Sequence, residues 1–185
     1  MKKVVIFILV LMFFVSGCSI KKAEEVTDAE IFASEYAISK NNVFKYASID
    51  EVISLLEEGT GIVFFGNSDQ ECCSSFVKLF SDLVDKEGIE EVYYYNPTVI
   101  QDDYTDEYVE LINLLGDNLT ITDEGDSYLT IPSVYFIRDG NIIGYNDKAS
   151  LIMNVEDDKL EEFMEDLEND YLELIAKYLN EDNID

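Results

Sequence analysis

The 185-residue chain contains no histidine. Imidazole is the usual general base near neutral pH and a common metal ligand, so Ser-His and Cys-His catalysis are excluded. Basic residues are scarce: 12 Lys and Arg stand against 40 Asp and Glu, a formal charge of -28. A field of that sign repels nucleic acid and anionic membrane surfaces, and no nucleic-acid partner is expected. Cysteine is limited to Cys18, Cys72 and Cys73. No metal and no cofactor are expected: the acidic stretches Asp102–Glu107 and Asp123–Asp126 lack the regular ligand spacing of a calcium loop and read as solvated loops. Neither an internal repeat nor a Pro/Gly/Ser-rich tract is present. The unbroken apolar run, Val4 to Val15, is too short to span a bilayer comfortably.

That run has its own explanation. It follows the basic start Met1-Lys2-Lys3 and has the length of a signal-peptide core. Val15-Ser16-Gly17-Cys18 then resembles the bacterial lipobox, which implies that Cys18 is lipidated and becomes the first residue of the mature chain. A signal anchor and an ordinary cleaved signal peptide are the other readings. The expected layout is a signal peptide over 1–17, lipidated Cys18 and a tether over 18–41, and a folded domain over 42–185. The tether is charged and apolar-poor from Ser19 to near Glu30, and its end allows a short amphipathic helix around Ile31-Phe32 and Tyr36. The lipid on Cys18 implies attachment to the cell membrane on its extracytoplasmic side. Cys72 and Cys73 would be the thiols left, in a compartment where disulfides persist.

Within the domain, Asn42 to Tyr46 alternates as a short strand, and Ser48 with Glu51 forms a capping box for a helix carrying Val52 and Leu56 to Gly59. Gly61 to Gly66 is a continuous apolar run, the pattern of a central strand buried on both faces. The turn Asn67-Ser68-Asp69-Gln70 follows, and a helix opens at the cysteine pair. Its stripe of Cys73, Phe76, Val77, Phe80, Leu83 and Val84 turns Cys73 inward and leaves Cys72 nearer solvent. Further elements are a strand over Ile89 to Asn96, a helix from Thr105 or Asp106 to Gly116, and a polar loop over Asp117 to Tyr128. Two strands joined at Asp139-Gly140 follow, and a last helix runs from near Asp157.

This order, with Ile131-Pro132 opening a strand far from a thiol-bearing helix start, resembles the thioredoxin superfamily. The words Gly-Ile-Val-Phe-Phe-Gly, Val-Tyr-Tyr-Tyr-Asn-Pro, Ile-Pro-Ser-Val and Asp-Gly-Asn-Ile-Ile-Gly-Tyr are similar to thioredoxin-like lipoproteins of Gram-positive bacteria, some labelled bacteriocin-transport accessory proteins. The resemblance implies an α/β fold with a central mixed sheet flanked by helices, and a cis bond before Pro132. It also implies a substrate groove at that proline.

The chain departs from the family where chemistry is done. The usual Cys-x-x-Cys reads Gln70-Glu71-Cys72-Cys73. Position 70 has no nucleophile, and Cys73 falls on the resolving position. Ordinary dithiol turnover is therefore not expected. Cys72 and Cys73 remain the candidate catalytic thiols: Cys72 lies in the first helical turn, where the dipole favours a thiolate, while Asp69 and Glu71 oppose it. A bond between the two neighbours would be strained. Cys73 packing as a small hydrophobe is the plainer account. A rival register makes Cys72-Cys73-Ser74-Ser75 a Cys-x-x-Ser motif with Ser75 inward. A groove framed by Gln70, Cys72, Ile131 and Pro132 suits an extended peptide held by backbone hydrogen bonds, without chemistry. The expected function is thus a membrane-anchored binding or accessory protein; the alternative is a thiol-disulfide oxidoreductase using Cys72, Cys73 or both.

Overall fold

Five-residue β2 (Gly61–Phe65) is buried at every position and lies at the middle of the sheet. In the computed structural model, which describes residues 26–121, 125 and 127–180, it has neighbours on both sides. On one side β3 (Val92–Tyr95) runs parallel to it, and β1 (Phe44–Tyr46) runs parallel to β3 at the edge. On the other, β6 (Ser133–Arg138) is antiparallel to β2, and β7 (Asn141–Asn146) is antiparallel to β6. A separate small hairpin pairs β4 (Thr120–Ile121) with β5 (Ser127–Tyr128). The mixed five-stranded sheet, with helices on both faces, matches the thioredoxin-like α/β arrangement.

Side chains along β2 alternate between two cores, as a period of two requires. Ile62 and Phe64 meet α1 (Asp28–Tyr36), α3 (Glu71–Lys86) and α6 (Leu160–Leu179). Val63 and Phe65 meet α2 (Ile49–Glu58) and α5 (Asp106–Leu115). The stripe read on α3 is buried residue for residue, from Cys73 to Val84. Ser48 caps α2 through a capping box with Glu51, and Thr105 caps α5. Asp139 and Gly140 both have positive φ, 48° and 71°, as a two-residue hairpin turn demands. A β-carbon on Gly140 would also strike the Glu57 carbonyl.

The expected boundary at residue 42 is corrected. Residues 28–36 are not tether but α1, capped by Thr27 in a capping box with Glu30. Phe32 has no exposed surface; its ring stacks on Phe44 at 4.1 Å and meets the edges of Phe64 and Tyr94. The short helix allowed around Ile31-Phe32 and Tyr36 is present, and its buried residues Phe32, Ala33 and Tyr36 make it part of the folded domain. Three smaller differences follow. The third strand starts at Val92 rather than Ile89. A short α4 (Thr98–Asp102) follows Pro97, and the polar loop after α5 contains the β4–β5 hairpin. The signal peptide 1–17 and Cys18 lie outside the described residues. No helix among those described is long and apolar enough to cross a membrane.

If α1 is part of the domain, Phe32→Ala removes a filled core position and lowers stability by about 3–5 kcal/mol in urea unfolding. A loss below about 1 kcal/mol would return residues 28–36 to the tether.

Candidate functional site

The site begins where β2 ends. Gly66 leaves the sheet with its N–H bonded to the Tyr95 carbonyl at 3.2 Å. A β-carbon there would collide with the Phe64 ring, so only glycine lets the chain pass. The turn that follows is held by Asn67: its side-chain oxygen accepts from the Asp69 N–H at 2.9 Å, and its carbonyl accepts from the Gln70 N–H at 3.0 Å. Gln70 is the N-cap of α3, in extended conformation, and its side chain does not cap the helix. The Gln70 side chain instead accepts from the Cys72 thiol at 3.7 Å.

Cys73 has no exposed surface and packs in the core that holds Phe64, Phe76 and Phe80. Ser75, the inward residue of the rival register, is only half-buried. Burial pushes the Cys73 thiol up to about 12; the Asn67 N–H, 3.4 Å from its sulfur, opposes this only in part, and neighbouring Cys72 adds to the rise. Cys73 is therefore a neutral, enclosed thiol. Cys72 is half-buried, and the two cysteines are unbonded. Two tyrosines lie in the same core: the Tyr36 hydroxyl donates to Tyr94, which donates to the Gly66 carbonyl. Burial raises both hydroxyls above their ordinary value, so they stay protonated.

The Ile131-Pro132 bond is cis, and Ser133, the next residue, pairs with Phe65 at the end of β2. The proline segment and the cysteine turn thus meet at adjoining strand ends. Pro132 itself is buried, so the groove expected there has Ile131 as its wall. A cleft of about 350 Å³ lies between Gln70, the Tyr128–Ile131 segment and α4. Cys72 is not in its lining; Gln70 stands there instead. Of the four expected groove residues, Gln70 and Ile131 line the cleft, and Cys72 and Pro132 do not.

The cleft's third wall, α4, had no strong signal in the sequence beyond Asn96-Pro97-Thr98, a turn in which Asn96 accepts from the Thr98 N–H. Two side-chain bonds fix it. Gln101 donates to the Leu129 carbonyl at 3.0 Å, and Asn67 donates to the Thr98 hydroxyl at 3.2 Å. One reaches the proline segment and the other the cysteine turn. Among the described residues, no cluster of three acidic or thiol side chains is placed to hold a metal ion.

No family model matches the chain, and no curated protein matches it. Among solved structures, oxidised thioredoxin O2 from Arabidopsis thaliana is similar at 16% identity over 68% of this chain and 95% of that one, with a TM-score of 0.39. So slight a likeness carries no weight on the site. The class rests on this chain's own strand order and on the meeting of the Ile131-Pro132 segment with the end of β2: a thioredoxin-like α/β domain.

Two measurements check the enclosed thiol. In a chain with Cys18→Ala, a maleimide adds to one thiol, Cys72, in the folded state and to a second only in denaturant. Equal labelling of both in the folded state contradicts the burial. The second is pH dependence. The folded Cys73 thiol is raised from an ordinary 9.0 to about 12. Its stabilisation is complete below pH 9.0 and is lost as pH rises toward the folded value. The stability gap between wild type and Cys73→Ala narrows by about 1 kcal/mol from pH ~9 to ~10. A constant gap denies the shift.

Proposed function

We propose that the chain is a lipid-anchored, extracytoplasmic binding or accessory protein that uses a thioredoxin-like domain with little or no redox turnover. Its cleft beside Gln70 holds an extended peptide segment through backbone hydrogen bonds. The observation that carries this reading is the pairing of an amide at position 70, where the family has its attacking thiol, with a fully enclosed, neutral thiol at Cys73. Disulfide exchange needs an accessible thiolate and then a resolver; the first is missing at the helix mouth. The lipobox at Val15 to Cys18 supports the anchor, and the resemblance to Gram-positive accessory lipoproteins supports a partner-binding role. Cys18→Ala is expected to move the protein from the membrane fraction to the soluble fraction; unchanged fractionation overturns the anchor.

The half-exposed Cys72 at the start of α3 favours a second reading, a thiol-disulfide oxidoreductase attacking through Cys72. Disulfide reduction by the wild type that disappears in Cys72→Ser would establish it in place of the first.

The degenerate motif is testable by repair. Gln70→Cys places a thiol at the mouth of α3, facing unpaired N–H groups that stabilise a thiolate and three residues before Cys73. Insulin reduction is expected to rise at least about tenfold over wild type, and Cys73→Ser in the same chain is expected to remove turnover. A folded Gln70→Cys protein as inert as wild type sinks the assignment of positions 70 and 73.

A further inference from the structure

One wall of the cleft beside Gln70 is weakly built. Among the described α-helices, α4 is the one with no buried side chain; its Ile100 is half-buried against the core of α2 and α5. Five residues are too few for a helix to stand by itself, so α4 keeps its shape only while it is held. Its end works against it. Asp102 and Asp103 lie at the carbonyl end of the helix, where the dipole disfavours carboxylates. Tyr104 then closes it at φ 48°, with its N–H on the Gln101 carbonyl and the Thr105 N–H on the Ile100 carbonyl. Glycine is the usual residue at such a left-handed helix end, and a bulky side chain there is strained.

What holds α4 lies across the cleft. Gln101 donates to the Leu129 carbonyl at 3.0 Å, and Asn67 donates to the Thr98 hydroxyl at 3.2 Å. The Leu129 N–H is also taken, by the Tyr108 hydroxyl at 3.2 Å. Both backbone groups of Leu129 are therefore bonded to side chains, although Leu129 belongs to the wall that an extended ligand would pair with. The Gln101 amide donates there as a ligand's own N–H would.

We propose that α4 is a strap, closed under strain at Tyr104 and latched across the cleft by Gln101, whose release frees the Leu129 carbonyl. The purpose of the strap rests on the peptide-groove reading above: a segment that pairs at Leu129 must first displace Gln101. The latch is one neutral hydrogen bond, exchanged for another of the same kind. The closed strap lowers the apparent affinity of the cleft by the fraction of chains in which it is open. Tyr108 is buried on α5 and keeps its hold on the Leu129 N–H, so the wall stays in place when α4 leaves.

Hydrogen exchange on the full chain in detergent micelles tests this, with intrinsic rates divided out. The amides of Gln101, Asp103, Tyr104 and Thr105 bond to carbonyls of Pro97 and α4. They are expected to be at least about a hundredfold less protected than those of Leu111 and Ile112 in α5. Gln101→Leu keeps bulk and helix propensity but has no donor. It is expected to lower protection at Asp103 and Thr105 about fivefold and to leave α5 and β2 within about twofold. Tyr104→Gly is compared with Tyr104→Ala, so that the ring is lost from both. Glycine takes the left-handed φ freely, and α4 is expected to be about fivefold better protected in the Gly variant. Protection of α4 equal to that of α5 overturns the inference. So does a loss in Gln101→Leu that spreads through the chain, or equal protection in the Gly and Ala variants. The groove reading is tested apart from this, by anisotropy with a fluorescent, capped Thr/Val peptide. Binding about fivefold tighter to Gln101→Leu than to wild type is expected. Equal binding to both overturns the latch; binding to neither, with α4 released as expected, removes the groove reading and leaves the strap standing.

Discussion

Everything at this site depends on β2 being buried on both faces. A strand that must satisfy two cores cannot shift register by one residue without exchanging Phe64 and Phe65 between them. Its neighbours are held as firmly, β3 on one side and β6 on the other, so its C-terminal end is a fixed point. The chain leaves that point through Gly66, which has no room for a side chain against Phe64. The direction of the turn and the start of α3 follow. So does the inward place of Cys73, which completes the aromatic core that α3 shares with Tyr171. The thiol is enclosed by the side chains packed around it, Phe64, Phe76 and Phe80 among them.

Electrostatics then acts on the enclosed thiol. A helix N-terminus favours a thiolate only where the sulfur is exposed to its N–H groups. Cys73 lies in the first turn, yet desolvation outweighs the single N–H it receives from Asn67. At the mouth stands Gln70, an amide that can donate and accept but cannot attack. Asp69 and Glu71 flank it in the chain, and Asp102 lines the same cleft.

Much of the fold was legible in local pattern. The apolar run of β2, the stripe of α3 and the Asp139-Gly140 turn are each encoded within a few residues, and each formed as read. The position of Cys73 relative to Gln70 was legible for the same reason. The tether boundary was not, because α1 is held by contacts such as Phe32 with Phe44 and Phe64, which no short window contains. Nor was α4, a five-residue helix with no buried side chain, kept in place by Asn67 and Gln101. The cleft is built from the cysteine turn, α4 and the proline segment, and its shape exists only once β2, β3 and β6 are side by side. Pro132 was read as a groove residue but is covered, leaving Ile131 at the surface.

Asn67 has a consequence beyond the turn it closes. Its backbone N–H reaches the Cys73 sulfur, its side-chain oxygen holds Asp69, and its side-chain N–H holds Thr98 of the cleft wall. One residue thus joins three parts of the fold: a core, a turn and a short surface helix. The buried thiol and the cleft wall share one neighbour, and the place of Asn67 fixes where each stands relative to the other.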